Sequence, residues 1–221
     1  MPDQPLLLGH RGARLYAPEN TVAAFDLALQ HGADGFEFDV RYTINKQSII
    51  CHDPRLNRIL VRRHTLKQLQ ERFASAVPAP PSLEDVLDRY TRSAFLNIEV
   101  KVRGVEPLVA RAVKRVRPKR YFISSFLPSV VRKLHAIGSS LILGTLAQTS
   151  WQLRRWHVMP TTYVVPHYRL LSLRLVKKLH AAGKTIVTWT VNDPRLMRRF
   201  AEWGVDGIIS DDTKLLVQTL R

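Results

Sequence analysis

Two histidines, three carboxylates and a lysine, namely His10, Glu37, Asp39, His52, Glu99 and Lys101, stand at the ends of segments that read as β-strands. Glu37-Phe38-Asp39 and Glu99-Val100-Lys101 each set two charged groups two residues apart, and strand side chains with that spacing project to one face. Glu37 and Asp39 can therefore share one ligand, while Lys101 beside Glu99 suits an anionic substrate held against a metal. The three carboxylates supply only oxygen, the donor set of a hard cation such as Mg2+ or Ca2+ rather than of zinc. An imidazole with an ordinary pKa of about 6.5 exchanges protons near neutrality, so His10 and His52 suit general acid and base work, in an order these residues leave open. Metal-assisted phosphate chemistry is the expectation.

Repeated βα units must bring these residues together. Short apolar, β-branched runs alternate with longer amphipathic stretches, the pattern of a parallel sheet covered by helices. Strands are predicted at Leu6 to His10, Gly35 to Val40, Ser48 to His52, Phe95 to Lys101, Tyr121 to Ser125, Leu141 to Leu146, Thr162 to Val165, Thr185 to Val191 and Gly207 to Ser210. That is one strand more than an eightfold barrel holds. The connection from Val40 to Ser48 is too short for a crossover helix and must join antiparallel strands, so Ser48 to His52 is a hairpin return. With the turn centred near Asn45-Lys46, Asp39 falls opposite His52, and opposed residues share a face. The remaining strands predict an α/β fold, a closed (β/α)8 barrel. Helix starts are signalled by Asn20-Thr21 before Val22 to Leu29, Ser82 before Leu83 to Tyr90 and Pro194 before Arg195 to Trp203. Such barrels gather reactive groups at the C-terminal ends of their strands, where His10, Glu37, Asp39, Glu99, Lys101, Ser125 and Trp189 all fall. Asp53 to Pro81, which includes Pro78-Ala79-Pro80-Pro81, fits no strand and reads as a loop or helical excursion near the site.

At 221 residues the chain is expected to form one domain over residues 1–221. Its longest apolar runs fall far short of the roughly 20 residues a membrane-spanning helix needs, and Met1-Pro2-Asp3-Gln4-Pro5 lacks the features of a secretory signal, so a cytoplasmic location is expected. Cys51 is the single cysteine, excludes an intramolecular disulfide and reads as a small strand residue. Lys and Arg number 34 against 18 Asp and Glu, leaving a formal charge of +16 that favours anionic partners. Much of this charge lies on helix-like segments with apolar opposite faces, and no aromatic-interleaved basic stripe accompanies it, so a solvated outer surface is preferred to a nucleic-acid groove. Peripheral contact with an anionic membrane stays open.

Gly9-His10-Arg11-Gly12, Ala17-Pro18-Glu19-Asn20-Thr21, Glu37-Phe38-Asp39-Val40, His52-Asp53, Ile98-Glu99-Val100-Lys101, Trp189-Thr190-Val191-Asn192 and Gly204 to Asp211 occur in this order. The ordered set resembles the glycerophosphodiester phosphodiesterase family over nearly the whole chain. The resemblance implies a barrel, one divalent metal on Glu37, Asp39 and Glu99, and hydrolysis of a small-molecule glycerophosphodiester to an alcohol and sn-glycerol 3-phosphate. Either water or the substrate's own glycerol hydroxyl attacks first, the latter through a cyclic phosphate as proposed for the family. Arg11 and Lys101 would clamp phosphate oxygens or pair with site carboxylates. Glu19 and Asn20 follow Pro18 at a helix start, where capping competes with a site role; the resemblance draws Glu19 toward the site. Trp189 offers a flat wall to substrate or fills the barrel. The chain departs from the family pattern at Asn45-Lys46-Gln47 in the hairpin turn and at Ile59-Leu60-Val61-Arg62-Arg63, where a Thr pair is common. Both positions bear on the rim of the site and on headgroup preference. Two alternatives follow: a lysophospholipase D, and a catalytically silent basic barrel that binds anionic membranes or nucleic acid.

Overall fold

The computed structural model describes residues 4–73 and 79–221. Its strands are β1 (Leu6–His10), β2 (Gly35–Tyr42), β3 (Ser48–Ile50), β4 (Arg55–Leu56), β5 (Ile59–Leu60), β6 (Phe95–Val100), β7 (Tyr121–Ser125), β8 (Leu143–Ala147), β9 (Tyr163–Pro166), β10 (Thr185–Thr188) and β11 (Gly207–Ser210). Its helices are α1 (Val22–Gln30), α2 (Leu66–Phe73), α3 (Leu83–Tyr90), α4 (Glu106–Val116), α5 (Pro128–Ile137), α6 (Ser150–Leu153), α7 (Leu173–Ala181), α8 (Pro194–Glu202) and α9 (Thr213–Leu220). Parallel pairing runs β1, β11, β10, β9, β8, β7, β6, β2 and back to β1, closing the expected eight-stranded barrel. No helix among the described residues is long and apolar enough to cross a membrane.

The extra strand exists because β2 outruns β1. Gly35 to Glu37 of β2 pairs with Leu8 to His10, whereas Val40 to Tyr42 passes the end of β1 and takes up Ser48 to Ile50 in antiparallel register. That register corrects the sequence-based expectation by one residue. Val40 faces Ile50 and Tyr42 faces Ser48, so the turn centres on Asn45, and Asp39 accepts the Cys51 N–H at 2.9 Å instead of facing His52. The Thr43 hydroxyl sets the turn by donating to Asn45 Oδ1 at 2.7 Å and accepting the Gln47 N–H at 3.2 Å. His52 lies beyond the end of β3.

The Asp53 to Pro81 excursion carries more strand than expected: β4 and β5 form a short hairpin whose turn residues, Asn57 and Arg58, hold φ of 44° and 71°. Left-handed backbone at both central positions matches the right-handed strand twist of a two-residue hairpin. Residues 74–78, including Pro78, and Met1-Pro2-Asp3 lie outside the described residues.

Strand alternation divides the apolar residues into two layers. Phe36, Phe38, Leu96, Ile98, Val100 and Ile123 point outward to α1, α3, α4 and α5, and the stacked Phe25 and Phe36 rings lie 4.2 Å apart between centroids. Leu8, Phe95, Phe122, Leu146, Val165, Val187 and Ile209 point inward and fill the lower barrel. Burial of each such side chain contributes about 1.5 to 3 kcal/mol before ordering costs. Gly35 belongs to the inward set, and a Cβ there would sit 1.9 Å from the Phe95 carbonyl oxygen, so β2 and β6 approach this closely only because residue 35 has no side chain.

Farther up these strands the inward columns turn polar: Leu8 leads to His10, Phe95 to Asn97 and then Glu99, and Ile209 to Asp211, while Val187 leads to the aromatic Trp189. β2 contributes Glu37 and Asp39. The fold thus places a dry plug below a charged mouth.

Candidate active site

Three register pairs build the mouth: His10 with Glu37 across β1 and β2, and Glu37 with Asn97 and Asp39 with Glu99 across β2 and β6. Glu37, Asp39 and Glu99 are all buried, and each offers one oxygen within 4.8 Å of the others'. Lys101 Nζ lies 2.6 Å from Glu99 Oε1 and 3.3 Å from Asp39 Oδ1, while Arg11 Nε lies 3.3 Å from Asp39 Oδ2. The Arg11 backbone N–H donates to Glu37 Oε2 at 3.0 Å. Glu37 Oε1, by contrast, is buried with no hydrogen-bond partner.

These contacts divide the carboxylates electrostatically. Burial drives the Glu37 carboxyl well above its ordinary pKa, and the neighbouring charges of Asp39 and Glu99 add to that rise. Burial, with Asp39 beside it, likewise raises Glu99 to about 7 against the opposing pull of Lys101. Asp39 is also buried, but Lys101, Arg11 and the Asn20 hydrogen bond outweigh that penalty and hold it below its usual value. A pair of buried carboxylates that resist ionisation, with one bare oxygen between them, is the chemistry that a divalent cation relieves, and the oxygen-only donor set fits one.

His10 Nδ1 lies 2.7 Å from Asp211 Oδ1, and His10 Nε2 is 4.0 Å from Glu37 Oε2. Asp211 is held in turn by Asn192, whose Nδ2 donates to Oδ2 at 2.8 Å and whose Oδ1 accepts the Asp211 N–H at 3.0 Å. His52 Nδ1 contacts Asp53 Oδ1 at 2.9 Å, and burial pushes the His52 pKa below its usual value despite the nearby Asp39 charge.

A cavity of about 350 Å³ is lined by His10, Arg11, Glu37, His52, Glu99, Lys101 and Trp189. Phe126, Leu146 and Ile209 complete an apolar side. Trp189 is fixed in the barrel, its Nε1–H donating to the Val165 carbonyl at 3.1 Å and its ring meeting Phe126 edge-on at 5.4 Å, and it also lines the cavity. Asp39 lies directly behind the cavity wall at 1% exposure. Glu19 lies to one side, paired with Arg11 at 2.8 Å and Arg14 at 3.0 Å. Ser125 turns away and donates to the Val100 carbonyl at 2.7 Å.

Asn20 is not a cap. Thr21 caps α1 by accepting from the Ala24 N–H, whereas Asn20 takes a φ of 60° and grips Asp39 twice, donating to Oδ2 at 2.8 Å and accepting the Asp39 N–H at 3.2 Å. Asp211, Asn192, Asn97 and Phe126 were not singled out from sequence for the site. The signal for Asp211 was its place two residues after the inward Ile209, at the end of its strand.

The model of the glycerophosphoryl diester phosphodiesterase family matches residues 10–215. A glycerophosphodiester phosphodiesterase of Caldanaerobacter subterraneus is 31% identical over 98% of each chain. The solved glycerophosphodiester phosphodiesterase of Thermotoga maritima superposes with a TM-score of 0.85, 25% identity and 97% coverage of both chains. An Oleispira antarctica phosphodiesterase, solved with the product sn-glycerol-3-phosphate, shares the fold with a TM-score of 0.81, 24% identity, 98% of this chain and 96% of its own. A barrel mouth that joins three buried carboxylates to two histidines, together with a family match across residues 10–215, establishes that this chain belongs to the glycerophosphoryl diester phosphodiesterase family and is an enzyme of that class.

Proposed function

We propose that the chain hydrolyses glycerophosphodiesters to an alcohol and sn-glycerol 3-phosphate, with one divalent cation on Glu37, Asp39 and Glu99 and with His10 and His52 moving the protons. The observation that carries this reading is the unpartnered, buried Glu37 Oε1 inside a carboxylate triad flanked by both imidazoles. The bound product of the Oleispira antarctica relative supports the substrate class. A cation bound there, Mg2+ or Ca2+ on the donor chemistry, supplies positive charge to a non-bridging phosphate oxygen.

The chain's own residues do the rest. Arg11 and Lys101 turn their remaining donors to the phosphate, since each keeps a positive charge beside the site carboxylates. His10, backed by Asp211, takes the proton of the attacking hydroxyl, which belongs either to water or to the glycerol arm. As the new P–O bond forms, the bond to the alcohol breaks and its oxygen takes a proton from His52. Asp53 steadies the imidazolium that donates this proton, and the negative charge of a bound phosphodiester raises the His52 pKa that burial has lowered. Attack by water gives sn-glycerol 3-phosphate directly, whereas attack by the glycerol arm gives a cyclic phosphate that water opens in a second step, His52 taking the water's proton and His10 returning its own to the glycerol oxygen. Trp189 and Phe126 wall the glycerol arm. The test is incubation of the purified chain and Mg2+ with glycerophosphocholine: equal amounts of choline and sn-glycerol 3-phosphate are expected, and no release across several headgroups and both metals overturns the reading.

A second substrate class has its own observation. Leu15, Tyr16, Ile44, Trp151 and Leu173 are large apolar residues with substantial exposure, and all lie on loops or first helical turns at the C-terminal ends of the strands, the face of the mouth. An exposed apolar rim suits a lipid surface and a lysophospholipid presented from it, and the whole chain's charge of +16 favours an anionic one. Hydrolysis of lysophosphatidylcholine at a rate comparable to glycerophosphocholine supports this class, and inactivity on every lysolipid removes it.

A further inference from the structure

A second cleft of about 300 Å³ lies beside the mouth, between Pro18 to Thr21 and the loop that follows β3. His52 belongs to the walls of both this cleft and the carboxylate cavity, while His10 faces only the cavity. An alcohol departing toward His52 therefore departs into the cleft, and the glycerol arm keeps the cavity walled by Trp189 and Phe126.

The floor of the cleft is apolar, and Leu56 is its half-exposed apolar wall. Ile50, Cys51, Leu56 and Phe73 line it, and Leu56 and Ile59 pack on a small hydrophobic cluster of Ile49, Cys51, Val61, Leu66, Leu69 and Phe73. Arg55 and Asn57 stand exposed at its rim, with Arg55 Nη1 donating to the Arg58 carbonyl at 3.0 Å, and three of the other polar side chains around it are committed elsewhere. Glu19 pairs with Arg11 and Arg14, Asn20 with Asp39, and Asp53 with His52. A hydroxyl-rich alcohol entering the cleft would give up water for few new hydrogen bonds, whereas an alkyl group loses nothing and buries apolar area. The β4–β5 hairpin that presents Leu56 also carries Ile59, which packs on the same cluster.

We propose that this cleft is the subsite for the leaving alcohol, and that its Leu56 wall makes the enzyme prefer phosphodiesters of alkyl alcohols to those of polyols. The proposal rests on the hydrolytic reading above. It is tested with three sn-glycerol 3-phosphate diesters that differ only in the alcohol: methanol, 1-hexanol and glycerol. Wild type should show a kcat/KM for the hexyl ester roughly tenfold above that for the glyceryl ester, the scale of discrimination a hydrophobic subsite provides. Leu56→Ser should lower the hexyl value roughly fivefold and leave the methyl value within about twofold, while Leu56→Met keeps the hexyl preference. Equal rates on hexyl and glyceryl esters in wild type, or parallel loss on all three esters in Leu56→Ser, overturn the subsite while leaving the hydrolytic reading intact. Failure of wild type on every ester overturns both.

Discussion

His10 Nδ1 and Asp211 Oδ1 meet at 2.7 Å although 201 positions separate them. Barrel closure creates the contact, because the first strand pairs with the last and Gly9 registers with Ser210. A carboxylate on Nδ1 fixes the ring orientation and the tautomer that leaves Nε2 facing Glu37. Asp211→Asn should therefore lower kcat about 10- to 100-fold with little change in KM. Steady-state kinetics check this, and a loss confined to KM would place Asp211 in substrate binding instead.

The two histidines should separate by leaving group. If His52 protonates the departing oxygen, His52→Ala should cost about 100- to 10,000-fold on an alkyl ester, and much of that loss should disappear on a p-nitrophenyl ester, whose anion leaves without a proton. His10→Ala should be impaired on both esters. The opposite pattern, with rescue of His10→Ala alone, exchanges the two roles.

Metal-free stability should carry the signature of Glu99, whose carboxyl burial pushes up to about 7, above the ordinary glutamate range. A carboxyl raised on folding contributes stability that is complete below its unfolded pKa and is lost as pH rises through the folded value. In EDTA, the wild-type Tm minus that of Glu99→Gln should fall from about pH 5 to about pH 8, and divalent cation should raise the wild-type Tm more at the upper end. Thermal denaturation at both ends reads the sign directly. A difference that grows with pH in EDTA would mean that Glu99 ionises freely in the folded chain.

Asn20→Ala should destabilise by about 1 to 3 kcal/mol, because it strips one hydrogen bond from the Asp39 carboxylate, at 1% exposure, and one from the Asp39 backbone N–H. Thr21→Ala, which removes the α1 cap, should cost about 1 kcal/mol and spare activity. Denaturant melts together with turnover distinguish the two neighbours; equal effects on both readouts would contradict the division of labour between Asn20 and Thr21.

Much of this site was legible because the barrel repeats a simple rule. Period-two alternation aligned Glu37 with Asp39 and Glu99 with Lys101, and the short Val40 to Ser48 connection exposed the hairpin, so the eightfold closure could be counted from strands alone. Contacts that depend on side-chain hydrogen bonding were harder to read. The Thr43 turn moved the hairpin register by one residue, so His52 reaches the mouth from the loop after β3 rather than from a ladder position opposite Asp39. Asn20 and Thr21 are both good caps by residue type, and only the left-handed backbone of Asn20 sends its amide to Asp39. Asp211 stood in a quoted motif, but its partner lies on the first strand, and that pairing emerges only when the barrel closes.

The proposed hydrolysis depends on a cation held by Glu37, Asp39 and Glu99. The most direct measurement is the rate of sn-glycerol 3-phosphate release from glycerophosphocholine by wild type and Glu37→Gln, first in EDTA and then with Mg2+ or Ca2+ restored. Wild type should lose activity in EDTA and recover it with cation, while Glu37→Gln should recover little at the same concentration. Full wild-type turnover in EDTA would contradict the account.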